Sequence, residues 1–118
     1  MKKAIIVIRP NKYQETKKAL EAIGFNALST TLVRGRGKLP LKYNVADFKF
    51  KRNYNMYNSF MSKRMIMLYI RDEDESLIID TIMKVNSSGN CGDGKIFILP
   101  ITKCVRVRTD EIDESALV

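Results

Sequence analysis

The chain has 118 residues, 45% of them hydrophobic, and a formal net charge of +8. This length fits one domain with one core, so we treat residues 1–118 as a single domain. There is no histidine, which excludes Ser-His or Cys-His catalysis and the usual zinc sites. The two cysteines, Cys91 and Cys104, are too few for a disulfide framework, and we expect reduced thiols.

The first segment is apolar but short. No run of 18 or more apolar residues occurs anywhere in the chain, so we expect no membrane insertion. Residues 1–9 also lack the longer apolar run and the cleavage site of a signal peptide. We therefore interpret residues 4–8 as a buried strand and expect a cytoplasmic protein.

Periodicity predicts the next elements. Apolar residues recur at helical spacing over 13–23, and Gly24 follows as a plausible C′ residue. Strand-like runs occupy 27–34, 65–70 and 96–99. A second amphipathic helix covers 78–85, and Asp72-x-x-Glu75 resembles a capping box at its start.

The end of the chain reads as one more strand and an acidic tail. Val105 and Val107 alternate with Arg106 and Arg108, which predicts a short strand with its valines facing the core. Residues 110–118 form the tail. The order β-α-β-loop-β-α-β therefore predicts an α+β, ferredoxin-like fold (βαββαβ) with an extra C-terminal strand. Helices would cover one face of the antiparallel sheet, and another copy of the chain would cover the other.

The excess positive charge lies in one central segment. Residues 34–64 hold nine basic residues and one acidic residue, and the rest of the chain holds twelve of each. The same segment holds six of the ten aromatic residues. We interpret about 38–62 as a long mobile loop that docks on a partner, although a charged loop that is only solvated has the same composition. The candidate partner-binding residues are Lys42, Tyr43, Phe48, Phe50, Arg52, Tyr54 and Tyr57.

Three short motifs could bind phosphate. The glycine-rich turn 89–95 ends in Lys95, and such turns can bind anions through their N–H groups, although a plain helix-to-strand turn looks the same. Arg106 and Arg108 share one face of the expected last strand and could grip a polyphosphate, or could simply pair with the acidic tail. Gly35-Arg36-Gly37-Lys38 could close over phosphates, or could be an ordinary turn.

Taken together, these motifs resemble the PII family of nitrogen regulatory proteins. The most specific block is Ser88-Gly89-Asn90-Cys91-Gly92-Asp93-Gly94-Lys95-Ile96-Phe97-Ile98, and Arg106-Val107-Arg108-Thr109 is similar to the family's final strand. The opening residues, Arg9-Pro10 and Gly35-x-Gly37 also fit, so the resemblance covers nearly the whole chain except about 39–62. Gly35-Arg36-Gly37-Lys38, Leu41-Lys42-Tyr43 and Ile82-Met83-Lys84-Val85-Asn86 are most similar to the PII-like regulators encoded in nitrogen-fixation operons.

The resemblance implies a homotrimer that binds ATP or ADP in the clefts between its subunits. It assigns nucleotide binding to Val7, Ser29, Gly35, Gly37, Lys38, Gly92, Asp93, Gly94, Lys95, Arg106 and Arg108. The glycine-rich turn and the two arginines would hold phosphates, and the arginines would reach across the interface. Lys63 would contact 2-oxoglutarate or anchor the long loop, which is the family's T-loop.

Several positions depart from the family pattern. Leu39 stands where the family commonly has a glutamine that ligates Mg²⁺ together with 2-oxoglutarate, and a leucine cannot ligate a hard cation. Lys38 stands for an arginine, and Met67 for a glutamate. The tyrosine-bearing uridylylation motif is missing. We therefore expect no uridylylation, and no Mg²⁺ with 2-oxoglutarate in the usual arrangement.

The resulting hypothesis is a regulatory protein, not an enzyme. Nucleotide binding would change the contacts at residues 35–38, bias the T-loop, and control docking on a target such as nitrogenase, with a sister PII-like subunit as a further partner. The alternatives are a regulator of ammonium uptake or glutamine synthetase, an RNA-binding module, and a small enzyme. An RNA-recognition sheet would carry aromatic residues on its central strands, where this chain offers Val7, Met65 and Met67, so we expect no nucleic-acid partner.

Overall fold

The computed structural model describes residues 1–36 and 61–117. Its strands are Lys2–Ile8 (β1), Ser29–Gly35 (β2), Met61–Ile70 (β3) and Gly94–Pro100 (β4), and its helices are Tyr13–Ala22 (α1), Glu75–Asn86 (α2) and Glu114–Leu117 (α3). Short 3₁₀ turns at Pro10–Lys12 and Asp72–Asp74 precede α1 and α2. Within the two described ranges, no helix is both long enough and apolar enough to cross a membrane.

The four strands form one sheet in the order β2-β3-β1-β4, and every neighbouring pair is antiparallel. Ala4 at the centre of β1 lies opposite Leu68 of β3 and Ile98 of β4. With the two crossover helices, this order is that of the ferredoxin-like fold, so the predicted fold class is confirmed.

The core lies between one face of the sheet and the two long helices. Alternate residues of the central strands are buried there because side chains point to opposite faces of a strand in turn. The buried apolar residues are Ala4, Ile6, Ile8, Tyr13, Leu20, Ile66, Leu68, Ile70, Ile78 and Ile82. One polar contact crosses this layer, where the amide of Asn86 donates to the hydroxyl of Thr16 at 3.0 Å and ties α2 to α1.

The structure confirms Gly24 as the C′ residue that ends α1. This glycine has φ +96°, and its N–H donates to the carbonyl of Glu21 at 3.0 Å. The N–H of Phe25 donates to the carbonyl of Leu20 at 2.9 Å. These two bonds form a Schellman motif, which requires a left-handed residue where glycine costs least.

The helix start predicted at Asp72-x-x-Glu75 is confirmed, but its two carboxylates do not form a capping box. Asp72 accepts a hydrogen bond from the amino terminus at 2.9 Å, and Glu75 pairs with Lys2. Both carboxylates therefore bind the start of β1, and α2 begins at Glu75 without a side-chain cap. The register of the sheet, which a local pattern cannot report, brings these partners together.

The expected fifth strand is also wrong within the described chain. Only one bridge, between Val105 and Ile112, forms there, and residues 107–109 are a turn. Val107 is 95% exposed and does not face the core. The segment folds back on the acidic tail, which ends in the short helix α3, an element that the sequence analysis did not include.

Candidate functional site

The glycine-rich turn between α2 and β4 is closed by the carboxylate of Asp93. Its Oδ2 accepts hydrogen bonds from the N–H groups of Ser88 at 2.7 Å and Gly89 at 3.0 Å. The Ser88 hydroxyl donates to Oδ1. The carboxylate of Asp93 thus binds backbone and side-chain donors of the same turn and stabilises its conformation.

Two cations from distant strands brace the same turn. Arg9, just after β1, pairs through Nη1 with Asp93 at 2.5 Å and donates through Nη2 to the carbonyl of Cys91 at 2.8 Å. Lys63 of β3 donates to the carbonyl of Gly92 at 2.5 Å. Sequence reasoning noted Arg9 as part of the resemblance but did not place it among the site residues, because 84 positions separate it from Asp93.

The electrostatics of this cluster favour an anion. Burial lowers the pKa of Lys63 and the nearby Arg9 guanidinium lowers it further, while Asp93 opposes the shift. Hydrogen bonds from Ser88, and then from Arg9, hold the pKa of Asp93 well below its ordinary value near 3.8. Three positive side chains, those of Arg9, Lys63 and Lys95, lie at a turn that has one carboxylate. This excess of positive charge can attract phosphate.

Gly94 is required by the sheet itself. It has φ +122°, and a Cβ built at this position would lie 2.0 Å from the carbonyl oxygen of Val7. The backbone of β4 can approach β1 this closely only because residue 94 has no side chain. Glycine at residue 94 is therefore required by the pairing of β4 with β1, independently of any phosphate binding by the turn.

The register places Lys95 beside Val7. These two residues are directly opposite in the β1–β4 pair, and Met65 is opposite Val7 in the β1–β3 pair. All three side chains share the sheet face that the helices do not cover. Ser29 does not join them, because it lies opposite Met67 on the far side of β3. Val7 and Ser29, which the resemblance assigned to nucleotide binding and to the lining of one adenine pocket, are therefore separated by β3 within one chain.

The uncovered sheet face is largely apolar. Its central part holds Ile5 and Val7 of β1 with Met65 and Met67 of β3, and all four are only partly buried. Towards its edges, Tyr69, Phe97 and Leu99 are 52%, 49% and 41% exposed. A contiguous apolar surface of this kind on a small domain marks an interaction site.

The side chains of Arg106 and Arg108 do not form a paired phosphate-binding site within one chain. Nη1 of Arg106 contacts Glu111 at 2.5 Å, and Nη2 donates to the carbonyl of Ser115 at 3.3 Å. Arg108 lies in the turn that follows and is exposed. Arg106 therefore pairs with the acidic tail, which was the alternative interpretation of this motif.

The remaining candidates lie mostly outside the described residues. Gly35 ends β2 opposite Met61, whereas Gly37, Lys38 and Leu39 are not in the described ranges. The partner-binding candidates also fall outside them: Lys42, Tyr43, Phe48, Phe50, Arg52, Tyr54 and Tyr57. The described residues contain no group of three or more acidic or cysteine side chains that could hold a metal ion.

Replacing Asp93 with asparagine is expected to lower the stability at pH 7 and to weaken its dependence on acid. The folded state holds the carboxylate ionised, so its pKa is lower than in the unfolded chain. That contribution is present above about pH 3.8 and is lost as the pH falls below it, because the unfolded chain then binds the proton first. Urea midpoints at pH 7 and pH 3 test this.

The matched control for this prediction is Asp80→Asn, which removes the same charge from an exposed position of α2. The loss of stability between pH 7 and pH 3 should stay at the wild-type size in this control and shrink in Asp93→Asn. Equal losses in the two variants would contradict the clamp assigned to Asp93.

The chain is similar to known proteins over nearly its whole length. The family model described as nitrogen regulatory protein P-II matches residues 1–111. A nitrogen fixation nifHD region GlnB-like protein 2 from Methanobacterium ivanovii is 43% identical over 121 residues, covering 99% of both chains. Nitrogen regulatory protein GlnK of Escherichia coli is 33% identical over 117 residues, covering 99% of this chain and 100% of its own.

A solved structure extends the likeness to three dimensions. The crystal structure of Arabidopsis thaliana PII bound to citrate superposes with a TM-score of 0.75 at 28% identity, covering 98% of this chain and 88% of that one. The similarity to proteins of nitrogen-fixation regions expected from the sequence is also confirmed. The chain belongs to the P-II family of nitrogen regulatory proteins.

Proposed function

We propose that the protein is a cytoplasmic homotrimeric regulator that binds ATP or ADP in the clefts between its subunits. One observation carries this proposal: Lys95 lies beside Val7, where the braced glycine turn meets the uncovered apolar sheet face. A phosphate group bound at the turn would thus lie at the edge of a surface that a second subunit can cover. The adenine ring would be buried at the same edge.

Assembly would also supply what one chain lacks. The described contacts of Arg106 lie in the C-terminal segment, and Ser29 is separated from Val7 by β3. A neighbouring copy packed on the apolar face could bring its own arginines and Ser29 to the turn. The site would then be complete only in the oligomer, which makes nucleotide binding dependent on assembly.

The residues of the glycine-rich turn suit the phosphates of the proposed nucleotide. Gly92 and Gly94 have positive φ, and Lys95 supplies a charge on the adjoining strand. The carbonyl of Gly92 is held by Lys63, so Lys63 serves as an anchor between this turn and β3. We propose 2-oxoglutarate as an additional effector at Lys63, without the Mg²⁺ geometry that needs a ligand at residue 39.

We further propose that the target is nitrogenase, reached through the segment of residues 38–60, since Met61 and Ser62 of the expected loop lie in β3. Two relatives that are 43% identical to this chain are named for a nifHD nitrogen-fixation region, and this name favours a nitrogenase target. Regulation of ammonium uptake or of glutamine synthetase is the alternative within the family. A complex with nitrogenase that forms or dissociates when nucleotide is added would distinguish the two.

Replacing both Arg106 and Arg108 with alanine is expected to weaken ATP binding at least 10-fold while the trimer persists. Each charge-assisted hydrogen bond to phosphate contributes about 1.5–3 kcal/mol, and each 1.4 kcal/mol is tenfold in affinity. Isothermal titration calorimetry measures the affinity, and light scattering measures the assembly.

The control replaces Lys18 and Lys84 with alanine, removing two charges from exposed helix positions. Its ATP affinity should stay within about twofold of wild type. Unchanged affinity in the arginine variant, or equal weakening in both variants, would refute the site.

A further inference from the structure

The C-terminal segment forms a small closed hairpin. The N–H of Asp113 donates to the carbonyl of Cys104 at 2.7 Å, and the N–H of Arg106 donates to the carbonyl of Glu111 at 2.8 Å. Val105 and Ile112 form the bridge between these two bonds. The backbone thus brings the side chains of Arg106 and Glu111 to the same end of the hairpin.

One oxygen of Glu111 is bound by two donors. Its Oε2 lies 2.5 Å from Nη1 of Arg106 and 2.9 Å from the hydroxyl of Thr109. A guanidinium and a hydroxyl converging on one anionic oxygen are also the donors that hold a phosphate oxygen. The carboxylate of Glu111 therefore stands where a phosphate oxygen of a ligand would be received.

We infer that Glu111 is an internal competitor for the phosphate that Arg106 binds, so that nucleotide must displace it to enter. This inference rests on the nucleotide site proposed above and adds to it the regulation of that site. Two nitrogens of the Arg106 guanidinium, Nη1 and Nη2, already have acceptors in the chain, at Glu111 and Ser115. A bidentate contact of phosphate with Nη1 and Nη2 would therefore compete with these acceptors for the guanidinium.

Opening this hairpin is expected to cost little free energy. In the single chain, the side chains of Arg106 and Glu111 are 28% and 43% exposed, so water and ions reach the pair. The apolar residues around them are also exposed, with Val107 at 95%, Ile112 at 54% and Val105 at 49%. Little packing resists displacement of the carboxylate, and a solvent-exposed pair exchanges partners more easily than a buried one.

The test measures binding of ATP, ADP and adenosine to wild type, Glu111→Gln and Glu111→Asp by calorimetry. Glu111→Gln removes the competing charge, and Glu111→Asp keeps the charge on a shorter side chain. Both are expected to bind ATP and ADP about two- to fivefold more tightly than wild type, the range of one exposed ion pair. Adenosine, which has no phosphate, should bind all three proteins equally.

Glu114→Gln is the matched control, since it removes one exposed negative charge three residues farther along the tail. Its affinities should stay at the wild-type values. Unchanged or weaker ATP binding by both Glu111 variants would overturn the inference, and so would an equal gain in Glu114→Gln or an equal gain for adenosine. A wild-type protein that binds neither nucleotide would instead refute the proposed function and the inference with it.

Discussion

Replacing Gly94 with alanine is expected to destabilise the protein by about 3 kcal/mol or more. The added Cβ would lie 2.0 Å from the oxygen and 3.0 Å from the carbon of the Val7 carbonyl, and φ at this residue is +122°. Relief requires β4 to move away from β1, which breaks their ladder where it begins, at the pair of Ile8 with Gly94. Urea unfolding followed by circular dichroism at fixed protein concentration measures the loss.

Gly89→Ala is the control for this prediction. Gly89 also has positive φ, +78°, but a Cβ there would have no neighbour within 4 Å. This substitution should cost only the conformational strain, about 1 kcal/mol. Similar losses in the two variants would show that strain alone explains Gly94, and that the contact with Val7 is not what requires glycine.

Phe97→Glu is expected to convert the proposed trimer into a monomer of 13.6 kDa. Phe97 lies on the sheet face opposite the helices and is 49% exposed in the single chain. If another subunit covers it, the new carboxylate would be buried without a partner, which costs several kcal/mol at each interface. Size-exclusion chromatography with light scattering reads the mass directly.

Leu77→Glu is the matched control for assembly. Leu77 has nearly the same exposure, 46%, but lies on α2, across the sheet from Phe97. The control should keep three times the monomer mass, because glutamate is well tolerated at an exposed helix position. A monomeric wild type would refute the trimer, and a trimeric Phe97→Glu would remove this face from the interface.

Nucleotide affinity and assembly should then change together. Phe97 does not belong to the glycine turn, so its substitution leaves Asp93 and its hydrogen bonds in place. Lost ATP binding in Phe97→Glu would therefore report the missing neighbour. This outcome is what the proposed clefts between subunits require.

The four strands of the sheet, the two long helices and their order could be predicted from the sequence, whereas the expected fifth strand was wrong and α3 was not predicted. Apolar periodicity located both long helices and the four strands, because burial of one face imposes a period of 3.6 on a helix and 2 on a strand. The glycines of 89–94 located the turn between α2 and β4, and Gly24 ended α1 as predicted. The absence of histidine excluded whole classes of chemistry, since no fold can supply a missing side chain.

Which side chains contact one another follows from the tertiary structure and could not be predicted from local patterns. Arg9 reaches Asp93 across 84 positions, and Asp72 binds the amino terminus across 71, because the register of β1 against its neighbours brings those segments together. Residues 105–108 alternate like a strand, yet they turn back into a hairpin that is bridged by Val105 and Ile112. Local patterns report which face a residue prefers, whereas the pairing of distant charges depends on the folded path of the chain.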